Sequence, residues 1–393
     1  MNLITKLIER QVNKLLVHIS RDLLIKSIQH VFKALSNNSH GILSGLYIYA
    51  GNEEVIFRGS NVSLTVQYKA CITDSKIHIF NEGSIVCPAK YLYEIIRKLN
   101  DGNVILEVNE QLILSITSGN TRVCLSGMSP IDYPFIPTQD HQQTGNGIDV
   151  SCNSLKSLIK QVAGACSTSE GKPILTGVSL EVQGNQLTMT ATDGVIRMAT
   201  GSICIKNGMG FSGSAVIPGV NLIEIVKLLD DDDHGMVTIQ FSPHEIRFIT
   251  QNQLIESVLI EGLYPPTRNL VPTSHVSEII LNIKSFRQMI DRVFVLADYH
   301  LITMHVSEKK LELISSTAEI GDVRDTLFLE DKNGVNFSIT INGKYLLSTL
   351  RCIESDSIRI RFTGTMSPLV LLPVLEDSTW LFLLNPVMRR INV

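Results

Sequence analysis

The sequence predicts an α+β protein of three repeated domains, each with antiparallel sheets and two helices on one side. Two observations lead there. The stretch SVLIEGLYPPTRNLVP (257–272) ends a β-type apolar run in a Gly, a Tyr-Pro-Pro turn and a closing Pro, and a looser copy, VCLSGMSPIDYPFIP, stands at 123–137. Three strand-then-helix segments also start at even intervals: VHISRDLLIKSIQHVFKAL from 17, IDVSCNSLKSLIKQVAGAC from 148 and IILNIKSFRQMIDRVFVL from 279. Like elements at a fixed period mark a recurring structural unit.

In chain order, residues 1–14 come first. Leu3, Ile4, Leu7, Ile8 and Val12 fall on one stripe at helical spacing, and Lys6, Glu9 and Arg10 interrupt any signal-peptide core. A short amphipathic helix is expected there, packed on the body or docking a partner. Domain 1 spans 15–138. Ser20 or Asp22 can cap a helix over 21–35 whose stripe is Leu23, Leu24, Ile28, Val31 and Phe32. Alternating strands follow at 47–70, then a strand and helix at 84–100, then hairpins at 104–126. Residues 137–147 form a polar linker. Domain 2, 148–272, repeats the plan: Asn153 or Ser154 can cap a helix with Leu155, Leu158, Ile159 and Val162 inward, before strands at 178–200, a strand and helix at 214–230 and hairpins at 237–261. After a linker at 273–278, domain 3, 279–393, has a helix with Phe286, Met289, Ile290 and Val293 inward. Strands follow at 302–329, then a strand and helix at 337–353, and strands to 387.

Composition excludes several classes. With 393 residues, 44% apolar and 18% charged, the chain is globular and long enough for two or three cores. Seven Cys are scattered singly without a Cys-x-x-Cys, which fits reduced thiols in a cytoplasm and argues against a disulfide framework or a zinc site. The densest apolar run, Leu369–Leu375, is cut by Pro373 and is far short of the roughly 20 residues of a membrane span. The acidic run at 230–233 before His234 reads as a solvated turn rather than a metal site. There is no His-Glu-x-x-His, no phosphate-binding Gly-rich loop and no nucleophile–base spacing, so no metal, cofactor or enzymatic activity is expected.

Charge carries the positive signal. The six helices hold fourteen basic residues: Arg21, Lys26, Lys33, Lys90, Arg97, Lys98, Lys156, Lys160, Lys227, Lys284, Arg287, Arg292, Lys344 and Arg351. Against them stand four acidic ones, Asp22, Glu94, Glu224 and Asp291, a difference of +10 in a chain whose total is −4, which leaves −14 elsewhere. That segregation points to a polyanion-facing surface. Two chains would bring twelve helices, which at about 9 Å between neighbours stand on a circle roughly 34 Å across. Removing a helix thickness of about 10 Å leaves a hole of about 24 Å, room for a duplex held through its phosphates.

Five pieces in this order and spacing carry a resemblance: KPILTGVSLEV (172–182), TATDGVIRMA (190–199), LIEGLYPPTRNLVP (259–272), the Asn342-x-x-Tyr345 of NGKYLL, and FLLNPV (382–387). The chain resembles the bacterial DNA polymerase III beta subunits, the sliding clamps, over residues 15–390. The resemblance implies three DNA-clamp domains forming half of a ring. It further implies a non-enzymatic head-to-tail homodimer that encircles double-stranded DNA and tethers DNA polymerase and clamp-loader subunits through short peptide motifs. The peptide pocket would be lined by Leu175, Thr192, Gly194, Arg197, Met198, Pro265, Leu270, Asn342, Tyr345, Met366, Leu383, Leu384, Pro386 and Val387. Of these, Leu175 and Leu384 read as core. The DNA-facing set is the helix cations without Lys227 and Arg292 and with Lys172. The subunit contact would join Val123 and Leu125 of one chain to Val295 and Leu296 of the other, with the strand edge at 121–126 completed by the partner.

The chain departs from the family pattern in places. Val195-Ile196 stands where a single His precedes the Arg, Asn269 where a second Arg follows the Tyr-Pro turn, and Asn385-Pro386-Val387-Met388-Arg389 at the close. Gly41 replaces the Pro of a Pro-Ile-Leu, and Asn37 replaces a basic loop residue. These changes point to a divergent or second clamp copy, and leave open the alternative of a clamp-like regulatory protein that binds partner peptides without loading on DNA.

Overall fold

The computed structural model describes residues 14–35, 41–51, 53–72, 76–134, 147–206, 212–229, 235–329, 331–375 and 379–387; the expectations for residues 1–13, Asn37, 230–234 and 388–393 lie outside them. The first repeat runs β1 (Leu16–Ser20), α1 (Arg21–Phe32), β2 (Gly45–Ala50), β3 (Glu54–Ser60), β4 (Leu64–Cys71), β5 (Ile77–Asn81), β6 (Gly83–Pro88), α2 (Ala89–Lys98), β7 (Asn103–Val108), β8 (Ile113–Ser118) and β9 (Thr121–Ser126). The second runs β10 (Gly147–Ser151), α3 (Cys152–Ala163), β11 (Gly177–Gln183), β12 (Gln186–Thr192), β13 (Arg197–Cys204), β14 (Gly213–Pro218), α4 (Gly219–Leu228), β15 (Met236–Phe241), β16 (Glu245–Ile249) and β17 (Gln253–Val258). The third runs β18 (Ser277–Asn282), α5 (Ile283–Phe294), β19 (Leu301–Val306), β20 (Lys310–Thr317), β21 (Gly321–Phe328), β22 (Lys332–Gly334), β23 (Phe337–Asn342), α6 (Gly343–Cys352), β24 (Ser357–Phe362), β25 (Leu369–Pro373) and β26 (Leu381–Leu384).

The helices form where one-sided apolar spacing meets a sheet. In α1, Leu24, Ile28 and Val31 are buried while Asp22, Lys26 and Gln29 are exposed. The helix stops at Phe32 rather than Leu35, because the N–H groups of Ala34 and Leu35 turn back to the carbonyls of Val31 and Phe32 and tighten the last turn. Two expected caps are replaced. Ser20 occupies the N-cap without a side-chain bond, and the Arg21 N–H donates to the Gly102 carbonyl at 2.8 Å instead. Neither Asn153 nor Ser154 caps α3, since β10 runs straight into the helix and puts Ser151 at the N-cap. Asn282 and Asn342 do cap α5 and α6, accepting from the backbone N–H of Ser285 (3.0 Å) and Tyr345 (3.2 Å).

The chain divides into two compact units, Met1–Asp149 with Lys227–Val258, and Val150–Val226 with Leu259–Val393. The first holds sheets β5-β1-β7-β8-β9 and β10-β15-β16-β17-β4-β3-β2-β6. The second holds β14-β11-β12-β13-β26-β25-β24-β18-β22 and β21-β20-β19-β23. Every pair with a described register is antiparallel. The long sheets are shared between successive repeats: β4 of the first pairs with β17 of the second, and β13 of the second with β26 of the third. By place in the repeat, β4, β13 and β21 correspond, as do β9, β17 and β26. Two of these three couples are joined within the chain, and β21 and β9 end their sheets.

In the first unit α1 and α2 lie side by side on the long sheet and bury Leu24, Ile28, Val31, Leu92 and Ile96. Each such side chain contributes on the order of 2 kcal/mol. In the second, α3 packs on β12 and β13, α5 on β20 and β21, and α6 touches both helices. The two Tyr-Pro segments act as staples. The Tyr133 hydroxyl donates to the Gly45 carbonyl (3.1 Å) in the first unit, and the Tyr264 hydroxyl to the Gly177 carbonyl (3.4 Å) in the second. Beside the first staple, buried Arg58 donates to Gln67 from Nε (3.1 Å) and Nη2 (2.6 Å) and to the Pro134 carbonyl from Nη1 (3.0 Å), so each guanidinium nitrogen makes a hydrogen bond.

Candidate functional site

The residues expected to line a peptide groove all fall within the second unit, several of them at the β13–β26 seam. Register sets its floor. Arg197 pairs with Leu384 and Met198 with Leu383, while Leu384 and Leu383 pair in turn with Leu369 and Val370. Met198, Val370 and Leu383 form a buried cluster, and Val271, Leu372 and Leu381 pack against it. The Tyr-Pro-Pro segment therefore crosses this floor at Val271.

One wall is the turn before β13. The Asp193 carboxylate accepts the backbone N–H groups of Val195 (3.0 Å), Ile196 (2.8 Å) and Arg197 (3.1 Å). Gly194 has φ +80°, and a Cβ there would lie 2.8 Å from the Leu175 side chain, so the turn needs glycine twice over. The Thr192 hydroxyl donates to the Arg197 carbonyl at 2.7 Å and accepts from the Gly194 N–H at 3.0 Å. From the far side, Asn385 clips the turn: its side-chain amide donates to the Val195 carbonyl (2.6 Å) and its backbone N–H to the Ile196 carbonyl (2.7 Å).

Arg197 joins this wall to α6. Its guanidinium donates to the Cys166 carbonyl at 2.9 Å, stands 3.4 Å from the Asp193 carboxylate, and lies 4.3 Å above the Tyr345 ring. A cation over an aromatic face holds both in place. Tyr345 is fixed from below by the Asn342 cap. Burial pushes the Cys166 thiol up to about 12 and raises the Tyr264 hydroxyl as well, so neither ionises near neutral pH. The chemistry available is apolar packing with a few fixed donors and acceptors, suited to a short linear peptide.

The fourteen expected lining residues divide by exposure. Leu175, Thr192, Met198, Leu383 and Leu384 are buried and build the floor, with the Thr192 N–H donating to the Tyr264 hydroxyl at 3.0 Å. Arg197, Asn342, Tyr345, Pro386 and Val387 are half-buried, and the Val387 N–H donates to the Thr340 carbonyl at 2.8 Å. Gly194, Pro265, Leu270 and Met366 are exposed. A small cleft of about 40 Å³ between α3 and α6 is lined in part by Arg197 and Met198.

Of the expected DNA-facing cations, Lys26, Lys33, Lys90, Arg97, Lys98, Lys160, Lys172, Lys284, Lys344 and Arg351 are exposed and Arg287 is half-buried. Two correct the expectation. Lys156 is only 7% exposed, on the side of α3 that carries Leu155 and Ile159 inward. Arg21 ties α1 to the end of α2, donating to the Arg97 carbonyl (2.9 Å) and pairing with Asp101 (2.8 Å). Others rest in surface pairs: Arg97 and Lys98 share Glu94 at 3.0 and 3.8 Å, and Arg351 stands 3.8 Å from Asp291. Exposed pairs are worth about 1 kcal/mol or less, so these cations are only weakly held.

The expected interface residues also have definite places. Val123 and Leu125 are half-buried on the edge strand β9. Val295, 78% exposed, and half-buried Leu296 follow directly on α5, which packs on the other edge strand β21 and is tied to it by Arg292–Asp325 at 2.6 Å. Among the described residues no three His, Cys, Asp or Glu side chains stand together as metal ligands, and no described helix is long and apolar enough to cross a membrane.

Three successive stretches match the DNA polymerase III beta subunit: its N-terminal domain over residues 15–137, its central domain over 149–266 and its C-terminal domain over 268–384. The chain belongs to that family. Beta sliding clamps of Staphylococcus epidermidis and Staphylococcus aureus are 34% and 33% identical to it over 367 residues, 92% of this chain and 96% of each relative. The crystal structure of the DNA polymerase sliding clamp from Bacillus subtilis matches with a TM-score of 0.90 at 33% identity, covering 96% of this chain and 100% of that one. The beta subunit from the DNA polymerase of Streptococcus pyogenes matches at 0.89 and 27%. With membership of the DNA polymerase III beta subunit family goes the function of a sliding clamp in DNA replication.

Several residues that position the candidate groove escape sequence reasoning in this beta subunit. Asp193, Tyr264 and Asn385 shape the wall without lining it. The Asp-Gly pair at 193–194 is a turn signal that marks the first; nothing local marks the other two as partners of residues far away in the chain.

Proposed function

We propose that this clamp encircles double-stranded DNA as a head-to-tail homodimer and tethers DNA polymerase and clamp-loader subunits through the groove at the β13–β26 seam. The observation that carries the reading is the pair of sheet ends left over by the repeat. The chain joins β4 to β17 and β13 to β26, and the same rule applied once more joins β21 of one copy to β9 of another. Both edges hold unpaired backbone groups that a partner strand would satisfy. Val123 and Leu125 on β9 and Val295 and Leu296 beside β21 supply apolar packing at that joint.

Lys26, Lys90, Lys98, Lys160, Lys284 and Lys344 would meet phosphates through water, without reading sequence, which permits sliding. The groove accepts a peptide of the Gln/Leu/Phe type, its apolar side chains over Met198, Val370 and Leu383 and its polar groups toward Arg197 and Tyr345.

The test is retention on nicked circular DNA after incubation with a competent clamp loader. Retention on the circle and loss after linearisation is the expected result. No retention on the circle would instead support a regulatory protein that binds partner peptides without loading on DNA.

A further inference from the structure

The groove has a lip that its floor does not require. At one end of the β13–β26–β25 sheet the strands finish in register at Arg197, Leu384 and Leu369. Just beyond those ends lie Val195, Asn385 and Met366, one from each connecting segment. Val195 is 72% exposed and Met366 64%. Leu270, 53% exposed, adjoins Val271 on the neighbouring floor. Val195 and Met366 therefore stand exposed beyond one end of this sheet, and exposed Leu270 precedes the Val271 that packs on its buried cluster.

Val195 is there by construction. Two residues, Val195 and Ile196, fill the interval between the Asp193–Gly194 turn and Arg197, and the longer loop is pinned at every backbone group. The Asp193 carboxylate takes three N–H groups, and Asn385 takes both carbonyls, at 2.6 and 2.7 Å. A loop so held cannot fold its apolar side chain back into the core. The polar residues at this end, Asn269 and Asn385, are uncharged, and the Asp193 carboxylate is already occupied by the backbone and Arg197. The exposed cation nearest Leu270, Arg268, is paired with Glu181 at 3.3 Å, which leaves Val195 and Met366 as apolar side chains at this end.

We propose that Val195, held outward by Asn385, is a specificity-determining residue that selects peptides carrying an apolar residue next to the core motif. This rests on the groove binding peptides at all. The lip adds apolar contact for a leucine-sized flanking side chain that a hydroxylated flank does not make. Burying about one methylene equivalent there corresponds to about four- to fivefold in affinity.

Fluorescence anisotropy on the full chain tests this, with labelled Gln/Leu/Phe-type peptides extended at either end by Leu, Ser or Glu. The wild type is expected to prefer one Leu-extended peptide about fivefold over its Ser counterpart. Val195→Ser should abolish that preference, and Asn385→Ala should reduce it by releasing the loop. Binding without flank preference, or a preference that survives Val195→Ser, overturns the lip and leaves the groove intact. Failure of every peptide to bind the wild type overturns the groove reading and the lip with it.

Discussion

Asn342 offers a way to separate the fold of α6 from the work of the groove. Its side chain accepts the Tyr345 N–H at 3.2 Å, and Asn282 does the same for Ser285 at 3.0 Å at the start of α5. Removing either cap costs about 1 kcal/mol. The released amide should then exchange its hydrogen roughly fivefold faster by the local opening route. The consequences for binding differ. Tyr345 carries the Arg197 guanidinium 4.3 Å above its ring, whereas the first turn of α5 carries no groove residue. A partly desolvated cation–π contact is worth about 1 kcal/mol. Asn342→Ala therefore loosens Tyr345 and Arg197 together and should weaken a Gln/Leu/Phe-type peptide by about five- to thirtyfold. Asn282→Ala should leave affinity within about twofold of wild type. Hydrogen exchange at the two amides and peptide anisotropy on the two variants make the comparison. Equal weakening by both, or a loosened Tyr345 amide with unchanged affinity, would falsify the view that the cap serves the groove.

Further outcomes follow from other parts of the molecule. Leu296→Asp places a charge at the end of α5 beside the open edge β21 and should yield a monomer by sedimentation; in the dimer the exposed Cys124 on β9 should react more slowly with a thiol reagent than in that monomer. Cys87 and Cys166, both buried with thiols pushed up to about 12, should stay unlabelled at neutral pH while Cys71 and Cys204 react. Because those two folded-state values lie above the ordinary 9.0, the stability they preserve is complete below pH 9 and falls as pH rises toward 12. The slope is at most about 1.4 kcal/mol per pH unit for each thiol and should flatten in Cys87→Ala melts. Gly194→Ala forces φ +80° on a residue with a Cβ 2.8 Å from Leu175, and should weaken peptide binding at a stability cost of about 1–3 kcal/mol.

The helices and their inward faces were readable because burial on one side imposes a 3.6-residue period, visible in Leu24, Ile28 and Val31 and again in Phe286, Met289 and Val293. Caps were less legible: the sequence offered them only for α1 and α3, where no side chain caps the helix, while Asn282 and Asn342, not singled out as caps, close the first turns of α5 and α6. What no local pattern holds is partnership at long range. LTVQYKAC and QLIESV carry nothing that names each other, yet they lie side by side as β4 and β17. Lys156 counts as one cation among fourteen on paper, and only the packing of α3 shows that it is buried. Thr192 reads as pocket lining, whereas its hydroxyl and N–H are committed to the Arg197 carbonyl and Tyr264.

The sharing of sheets across repeats has a bearing on how the chain is made. As it leaves the ribosome, β4 emerges long before the strand that covers it, since Tyr68 waits for Gln253, and β13 likewise waits for β26. An interval of about 190 residues, at 5–20 residues per second, keeps a bare strand edge open for roughly ten to forty seconds. Such an edge is a template for the wrong neighbour, including the same strand on an adjacent nascent copy. The interval before each seam closes is thus the period in which a chaperone would matter most, and truncation anywhere before residue 253 should leave a product that aggregates rather than a smaller clamp.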